Sequence, residues 1–137
     1  MDISERIAAQ AVALVGAPFR LHGRSAQTGV DCVGLVALAV ARAGVRVDAL
    51  PGYALRGMGL VSAARGLELA GFAPVARAGV GDVLLAESGP MQLHLMIMAG
   101  GGIVHAHAGL GRVVLMPAPS PWPLLGQWRL RNFCEQE

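Results

Sequence analysis

Gly29-Val30-Asp31-Cys32-Val33-Gly34-Leu35-Val36 decides how this chain reads, because turn-forming residues give way within it to an apolar pattern of helical period. Beyond Cys32, the residues Leu35, Val36, Ala39, Val40 and Ala43 recur at helical spacing, with Arg42 in the last turn and Gly44 placed to end the helix. Asp31 is placed as the N-cap, where its carboxylate occupies one orphan amide and leaves others free to hold a nearby oxyanion. A cysteine at such a helix start feels partial positive charge, which lowers its pKa and populates the nucleophilic thiolate. Taken alone, Cys32 reads more readily as a small buried apolar side chain on the inner face of an ordinary helix. The histidines discriminate between these readings, since a cysteine nucleophile needs a base from elsewhere in the fold.

Three histidines fall on two alternating segments near the C-terminal end. From Leu93 to Ala99, period two places His94, Met96 and Met98 on one face and Leu95 and Ile97 on the other. After Gly100-Gly101-Gly102 the next run places Ile103, His105 and His107 together, opposite Val104 and Ala106. Cross-strand neighbours lie about 5 Å apart at Cβ and diagonal ones about 7 to 8 Å, so His94 can meet His105 or His107, depending on the register.

Outward from these segments, Ile3, Ile7, Ala11, Leu14 and Val15 mark an amphipathic first helix that Gly16-Ala17-Pro18 stops. A polar loop carrying Arg20, His22, Arg24 and Gln27 leads to Asp31, and His22 is a candidate substrate contact. Pro51-Gly52-Tyr53, Gly57 and Gly59 form an irregular link to a short helix from about Leu60 to Leu69, which Gly71 ends. Five short strands are then expected at Asp82 to Ala86, Leu93 to Ala99, Ile103 to Ala108, Arg112 to Met116 and Gln127 to Phe133. Helices first and antiparallel strands afterwards indicate an α+β fold, the helices packed on one side of a sheet of about five strands.

The 137 residues are expected to form one domain, 1–137, and a content of 54% hydrophobic against 15% charged residues can bury a sizeable core. The net charge is only +2, lysine is absent and the 11 arginines are scattered, which argues against nucleic-acid binding. No apolar tract approaches the length of a bilayer span. The leader Asp2-Ile3-Ser4-Glu5-Arg6 is acidic where a secretion signal needs positive charge, so synthesis in the cytoplasm without a signal peptide is expected. Cys32 and Cys134 fit neither a zinc spacing nor a disulfide framework, and Cys134 falls in a C-terminus expected to be mobile. No cofactor and no metal site is expected.

The chain resembles the NlpC/P60 superfamily of papain-like cysteine peptidases that cut cell-wall peptides. Five motifs stand in the family's order. Gly16-Ala17-Pro18-Phe19 matches its Gly-x-Pro-Tyr, and Asp31-Cys32-Val33-Gly34-Leu35-Val36 matches its Asp-Cys-Ser-Gly-Leu-Val. Gly81-Asp82-Val83-Leu84-Leu85, His94-Leu95-Met96-Ile97-Met98 and Gly102-Ile103-Val104-His105-Ala106 match its three strand motifs. The resemblance implies a papain-like fold with Cys32 as nucleophile, His94 as base and His105 as the group that orients His94. It implies a thiolate–imidazolium pair formed before substrate arrives, and a substrate bond between D-glutamate and diaminopimelate, or an equivalent dibasic residue, in a peptidoglycan stem peptide. Phe19, Asp31 and Val33 then lie along the substrate. The short length, the missing secretion signal and Pro119-Ser120-Pro121-Trp122 look most like the branch found in phage tails and gene transfer agents, which implies tail hub or baseplate proteins as partners.

Three departures from the family pattern bear on the site. Phe19 stands for the tyrosine associated with the substrate's amino end, Val33 stands for serine, and the turn between the histidine strands is one residue shorter, which brings His107 into contention with His105. Other readings of the same residues are a zinc site from Cys32, His94, His105 and His107, a structural tail or wall-binding module with weak or lost activity, and a papain-like acyltransferase using the same acyl-enzyme.

Overall fold

The computed structural model of the protein describes residues 1–46, 59–90 and 92–135, so the link expected at Pro51-Gly52-Tyr53 and Gly57 lies outside the described residues. Helix α1 (Ile3–Ala13) comes first, then a ribbon of β1 (Arg24–Ser25) and β2 (Gly29–Val30), helix α2 (Cys32–Arg42), β3 (Val45–Arg46) and helix α3 (Leu60–Leu69). There follow β4 (Phe72–Pro74), β5 (Val83–Gly89), β6 (Gln92–Ala99), β7 (Gly102–His107), β8 (Arg112–Met116), β9 (Leu124–Leu130) and β10 (Cys134–Glu135). The α+β arrangement is the expected one, with an antiparallel sheet in the order β4-β9-β5-β6-β7-β8. It has six strands rather than five: β4 is three residues long and ends in Pro74, too short for alternation to register, and proline suits its edge position. The C-terminus also differs from expectation, since Cys134 pairs with Arg46 and Glu135 with Val45 across β10 and β3.

Local chemistry sets the helix ends. The acidic leader is a capping box: the Glu5 N–H donates to the Asp2 side chain at 2.8 Å, and the Asp2 N–H donates to the Glu5 carboxylate at 3.2 Å. Helix α1 stops at Ala13, with Leu14 as C-cap and Gly16 at φ 96°, slightly short of the expected Val15. Helix α2 begins as read, with Asp31 accepting the Gly34 N–H at 2.8 Å, and Gly44 follows its C-cap Ala43 at φ 91°.

The main core forms where Ile7, Leu14, Leu35 and Val36 meet Leu95, Ile97 and Val104 on the helix-facing side of the sheet. Each such fully buried side chain stabilises the fold by roughly 1.5–3 kcal/mol. On the other face Leu84, Ala86, Met96 and Ile103 are also buried, under Ala78, Met98, Met116 and Trp122 rather than under helices. Burial on both faces explains why Val83 to Ala86 is apolar without alternation. Buried Asp82 accepts from Arg129 Nε at 2.9 Å, Arg129 Nη2 at 2.8 Å and the Gly79 N–H at 2.7 Å, which joins the start of β5 to β9.

Segment 16–20 clasps the two halves of the molecule. Towards β8, the Gly16 N–H donates to the Val113 carbonyl at 2.9 Å, the Val113 N–H to Ala17 at 2.8 Å and the Phe19 N–H to Gly111 at 2.8 Å. Towards β2, the Val30 N–H donates to Pro18 at 3.0 Å and the Arg20 N–H to Val30 at 3.1 Å. The segment thereby covers the edge of β8, which would otherwise present unpaired backbone groups.

Candidate active site

Helix α2 presents Cys32 as its first residue, half-buried, in a cleft of about 290 Å³ that His94, His105, His107, Phe19 and Trp122 also line. Asp31 anchors the approach to the thiol. Its Oδ1 accepts the Gly34 N–H at 2.8 Å and Arg24 Nη1 at 3.2 Å, while Oδ2 accepts the His22 N–H at 2.8 Å. That last bond holds His22 at φ 61°, a left-handed conformation that costs a non-glycine residue energy and persists only when its surroundings impose it. Gly34 is required on steric grounds, because a Cβ there would collide with the Gly23 carbonyl packed against the helix. The exposed His22 ring is absent from the residues that line the cleft.

The histidines meet because the β6–β7 ladder stops early. Its pairs are Ala99 with Gly102, Met98 with Ile103 and Ile97 with Val104. Continued further, this register would set His94 opposite His107. Pairing ends at Ile97–Val104 instead, and His94 Nε2 lies 3.0 Å from Nδ1 of buried His105, with the rings edge to face at 5.1 Å and 89°. His107 is engaged elsewhere: its Nδ1 accepts the Leu110 N–H at 3.1 Å, and its backbone pairs with Arg112. The shorter turn therefore does not exchange His107 for His105 as the neighbour of His94.

Trp122 packs edge to face on both rings, at 5.6 Å from His94 and 5.4 Å from His105. Ser120 fixes this loop, its Oγ accepting the Trp122 N–H at 3.1 Å and donating to the Trp122 carbonyl at 2.9 Å. An indole against the bonded pair excludes water from it and strengthens the hydrogen bond.

The electrostatics run against the preformed ion pair that the resemblance implies. Burial pushes the Cys32 thiol up to about 11, against the N–H groups of Leu95, Val33 and Cys32, which favour the thiolate, and with the Asp31 charge adding to the rise. Burial likewise pushes His94 down to about 4, helped by His105 and His107, and His105 down to about 4, helped by His107. Burial thus disfavours the charged form of the thiol and of both imidazoles in the free site, which runs against a preformed thiolate–imidazolium pair. A helix start stabilises a thiolate by a modest amount, whereas removing a charge from water costs more unless a full counter-charge replaces that water.

This arrangement can move a proton along a line. With Nε2 of His94 directed at His105, Nδ1 is the ring nitrogen of His94 without a bond to His105, in the cleft that Cys32 also lines. A proton taken up there makes an imidazolium whose Nε2–H already has an acceptor. Among the described residues, no three His, Cys, Asp or Glu side chains are grouped so as to hold a metal ion. Val33 and Phe19 line the cleft beside Cys32, and Asp31 lines it with both carboxylate oxygens engaged. Arg24 and Leu95 went unassigned from the sequence. Arg24 could have been suspected from its place in a polar loop ahead of Asp31, but a backbone amide leaves no mark in a sequence.

A helix-start cysteine and a histidine couple on adjoining strands of an antiparallel sheet define the papain-like class of α+β folds. The chain belongs to the NlpC/P60 family, whose model matches residues 16–120, a span that contains Cys32, His94 and His105. Among solved structures, the chain is similar to the peptidoglycan hydrolase RipB of Mycobacterium tuberculosis at 24% identity and TM-score 0.65, covering 95% of this chain and 65% of that one. The NlpC/P60 domain of the peptidoglycan hydrolase SagA matches at 26% identity and TM-score 0.56, covering 83% and 88% of the two chains. The P60 domain of an antigen from Mycobacterium avium subspecies paratuberculosis matches at 21% identity and TM-score 0.59, over 98% and 93%. The chain thus spans about two-thirds of the RipB structure. No curated protein sequence matches it. No helix among the described residues is long and apolar enough to cross a membrane.

Proposed function

We propose that this chain is a cysteine endopeptidase acting on peptidoglycan stem peptides. The observation that carries the reading is the convergence of Cys32, at the first turn of α2, with the His94–His105 couple in one cleft. The Cys32 proton passes to His94 Nδ1 as Sγ adds to the scissile carbonyl carbon. The backbone N–H of Cys32 holds the resulting oxyanion, a contact worth roughly 3 kcal/mol of barrier. Collapse breaks the C–N bond, and the amine leaves with the proton from His94. Water, deprotonated by the same nitrogen, then hydrolyses the thioester and restores the thiol. By family likeness the bond joins D-glutamate to diaminopimelate or an equivalent dibasic residue.

The finer assignment is a component of a phage-like tail or gene transfer agent that opens the wall, made in the cytoplasm and carried with tail hub or baseplate proteins. Pro119-Ser120-Pro121-Trp122 supports it. Mass spectrometry of purified particles from the host tests it, and particles that lack the chain would refute it.

The activity is tested by incubating muropeptides with the wild type, Cys32→Ala and His94→Ala and analysing the products by mass spectrometry. Cleavage by the wild type alone is expected. Equal cleavage by Cys32→Ala would sink the cysteine-peptidase reading. The high thiol pKa favours one second reading, a wall-binding module with weak or lost activity, and a folded wild type that cuts nothing would support that reading.

A further inference from the structure

The run Pro117-Ala118-Pro119-Ser120-Pro121-Trp122-Pro123 links β8 to β9 with a proline at every second position. Proline fixes φ and has no N–H, so such a run joins no ladder and has few conformations to lose. Its prolines and Ala118 are exposed, and within it only Ser120 and Trp122 are half-buried. Its far end is held to β5, where the Glu87 N–H donates to the Pro123 carbonyl at 3.0 Å. Ser120 Oγ bonds both backbone groups of Trp122, at 3.1 Å and 2.9 Å, and so sets the backbone from which the indole packs on His94 and His105. Trp122 lines the cleft, whereas Ser120 does not. The indole also stands just past the span that matches the family, so its role must be argued from this chain's own geometry.

A hydrogen bond between two imidazoles contributes little where water competes for either nitrogen, and a base with a loose partner can turn away from the thiol. An indole that touches both rings at once shields their bond and limits how far either ring turns. It does so without adding charge. The titratable groups that share the cleft with the couple are Cys32 and Asp31 at the start of α2 and His107 on β7, while Glu87 on the neighbouring β5 is exposed. We propose that Ser120 is a positioning residue, which acts through Trp122 to keep the His94–His105 bond dry and His94 oriented for proton transfer. This rests on the peptidase reading and deepens it: a hydroxyl outside the cleft controls the base inside it.

The test compares the wild type with Ser120→Ala, Trp122→Ala and Trp122→Phe. Proton NMR at neutral pH reads how fast the hydrogen shared by His94 and His105 exchanges with water, its resonance identified by its loss in His105→Ala, and muropeptide cleavage gives kcat and KM. Exchange is expected to be at least about tenfold faster in Trp122→Ala and about fivefold faster in Ser120→Ala, with Trp122→Phe, which keeps an aromatic ring, within about twofold of the wild type. The kcat should fall in the same order, while KM in Ser120→Ala stays within about twofold, because that hydroxyl does not meet substrate. If Trp122→Ala does not fold, Ser120→Ala, which loses a single hydroxyl, carries the test. Unchanged exchange in both alanine variants would overturn the proposal, as would faster exchange with kcat intact, a Ser120→Ala loss confined to KM, or a shared hydrogen that exchanges too fast to observe even in the wild type. A wild type that cuts nothing would overturn the peptidase reading and this proposal with it, whereas unchanged exchange beside normal cleavage would overturn the proposal alone.

Discussion

His94 Nε2 lies 3.0 Å from His105 Nδ1, so one of these two nitrogens carries the shared hydrogen and the other accepts it. If His94 is to accept a proton from Cys32 at Nδ1, its Nε2 must bear hydrogen and donate to a bare Nδ1 of His105. Loss of His105 releases both the ring orientation and the tautomer. His105→Ala is therefore expected to lower kcat/KM on muropeptides by on the order of 10²-fold. His105→Asn, whose amide oxygen can accept the same bond, should recover part of this. His107→Ala should stay within about threefold, since that ring serves the Leu110 amide instead. A larger loss for His107→Ala than for His105→Ala would reassign the partner.

Cys32 should label slowly. With its thiol pushed up to about 11 by burial, only about one molecule in 10⁴ carries a thiolate at pH 7. Iodoacetamide modification of Cys32, followed by peptide mass spectrometry, should accelerate about tenfold for each pH unit up to pH 9, with no plateau. A plateau near neutrality would reveal a preformed ion pair and show that burial does not prevail.

Acid should destabilise the protein through the same rings. Burial holds His94 and His105 down to about 4, against 6.5 for an unperturbed histidine. Above pH 6.5 neither the folded nor the unfolded chain protonates them, so they add no pH dependence there. Between 6.5 and 4 the unfolded chain binds the extra protons, and stability falls as the pH falls, by on the order of 3 kcal/mol for one ring. Urea unfolding at pH 7 and pH 4.5 should show this loss in the wild type and a smaller one in a His94→Gln, His105→Gln double variant. The same loss in both proteins would assign acid sensitivity to other groups.

Gly34→Ala should be disruptive out of proportion to one methyl group. The added carbon would collide with the Gly23 carbonyl, and the loop from Arg20 to Arg24 would have to move off the helix. Overpacking of this kind costs about 1–3 kcal/mol, and here it outweighs the roughly 1 kcal/mol that alanine gains over glycine inside a helix. The denaturation midpoint should fall, and kcat/KM on muropeptides should fall with it. An unchanged midpoint would show that the loop yields freely.

What was legible in the sequence was local. Asp31 as N-cap, Gly44 and Gly71 as helix ends, and the faces carrying His94 and His105 all follow from periodicity and capping chemistry, which act over a few residues. The choice between His105 and His107 did not follow, because it depends on where pairing between β6 and β7 stops, at Val104. The direction of the thiol pKa is hidden from the sequence for a similar reason. The helix start is visible in the sequence, but the stronger opposing effect is burial, which only the packed fold determines. Trp122 is conspicuous as a residue, yet its place over two rings more than fifteen positions away could not be read from its neighbours.

The clasp at residues 16–20 gives the cleft its mechanical character. One side of it is bonded to the strand that follows the histidines and the other to the strand that leads into Cys32. Nucleophile and base therefore share a single tether, and strain applied to either half of the chain reaches the other through five backbone hydrogen bonds. Slow amide exchange at Val30, Phe19 and Val113, whose N–H groups are donors in those bonds, would report that tether as intact; their joint opening would mark the moment the two halves of the cleft part company.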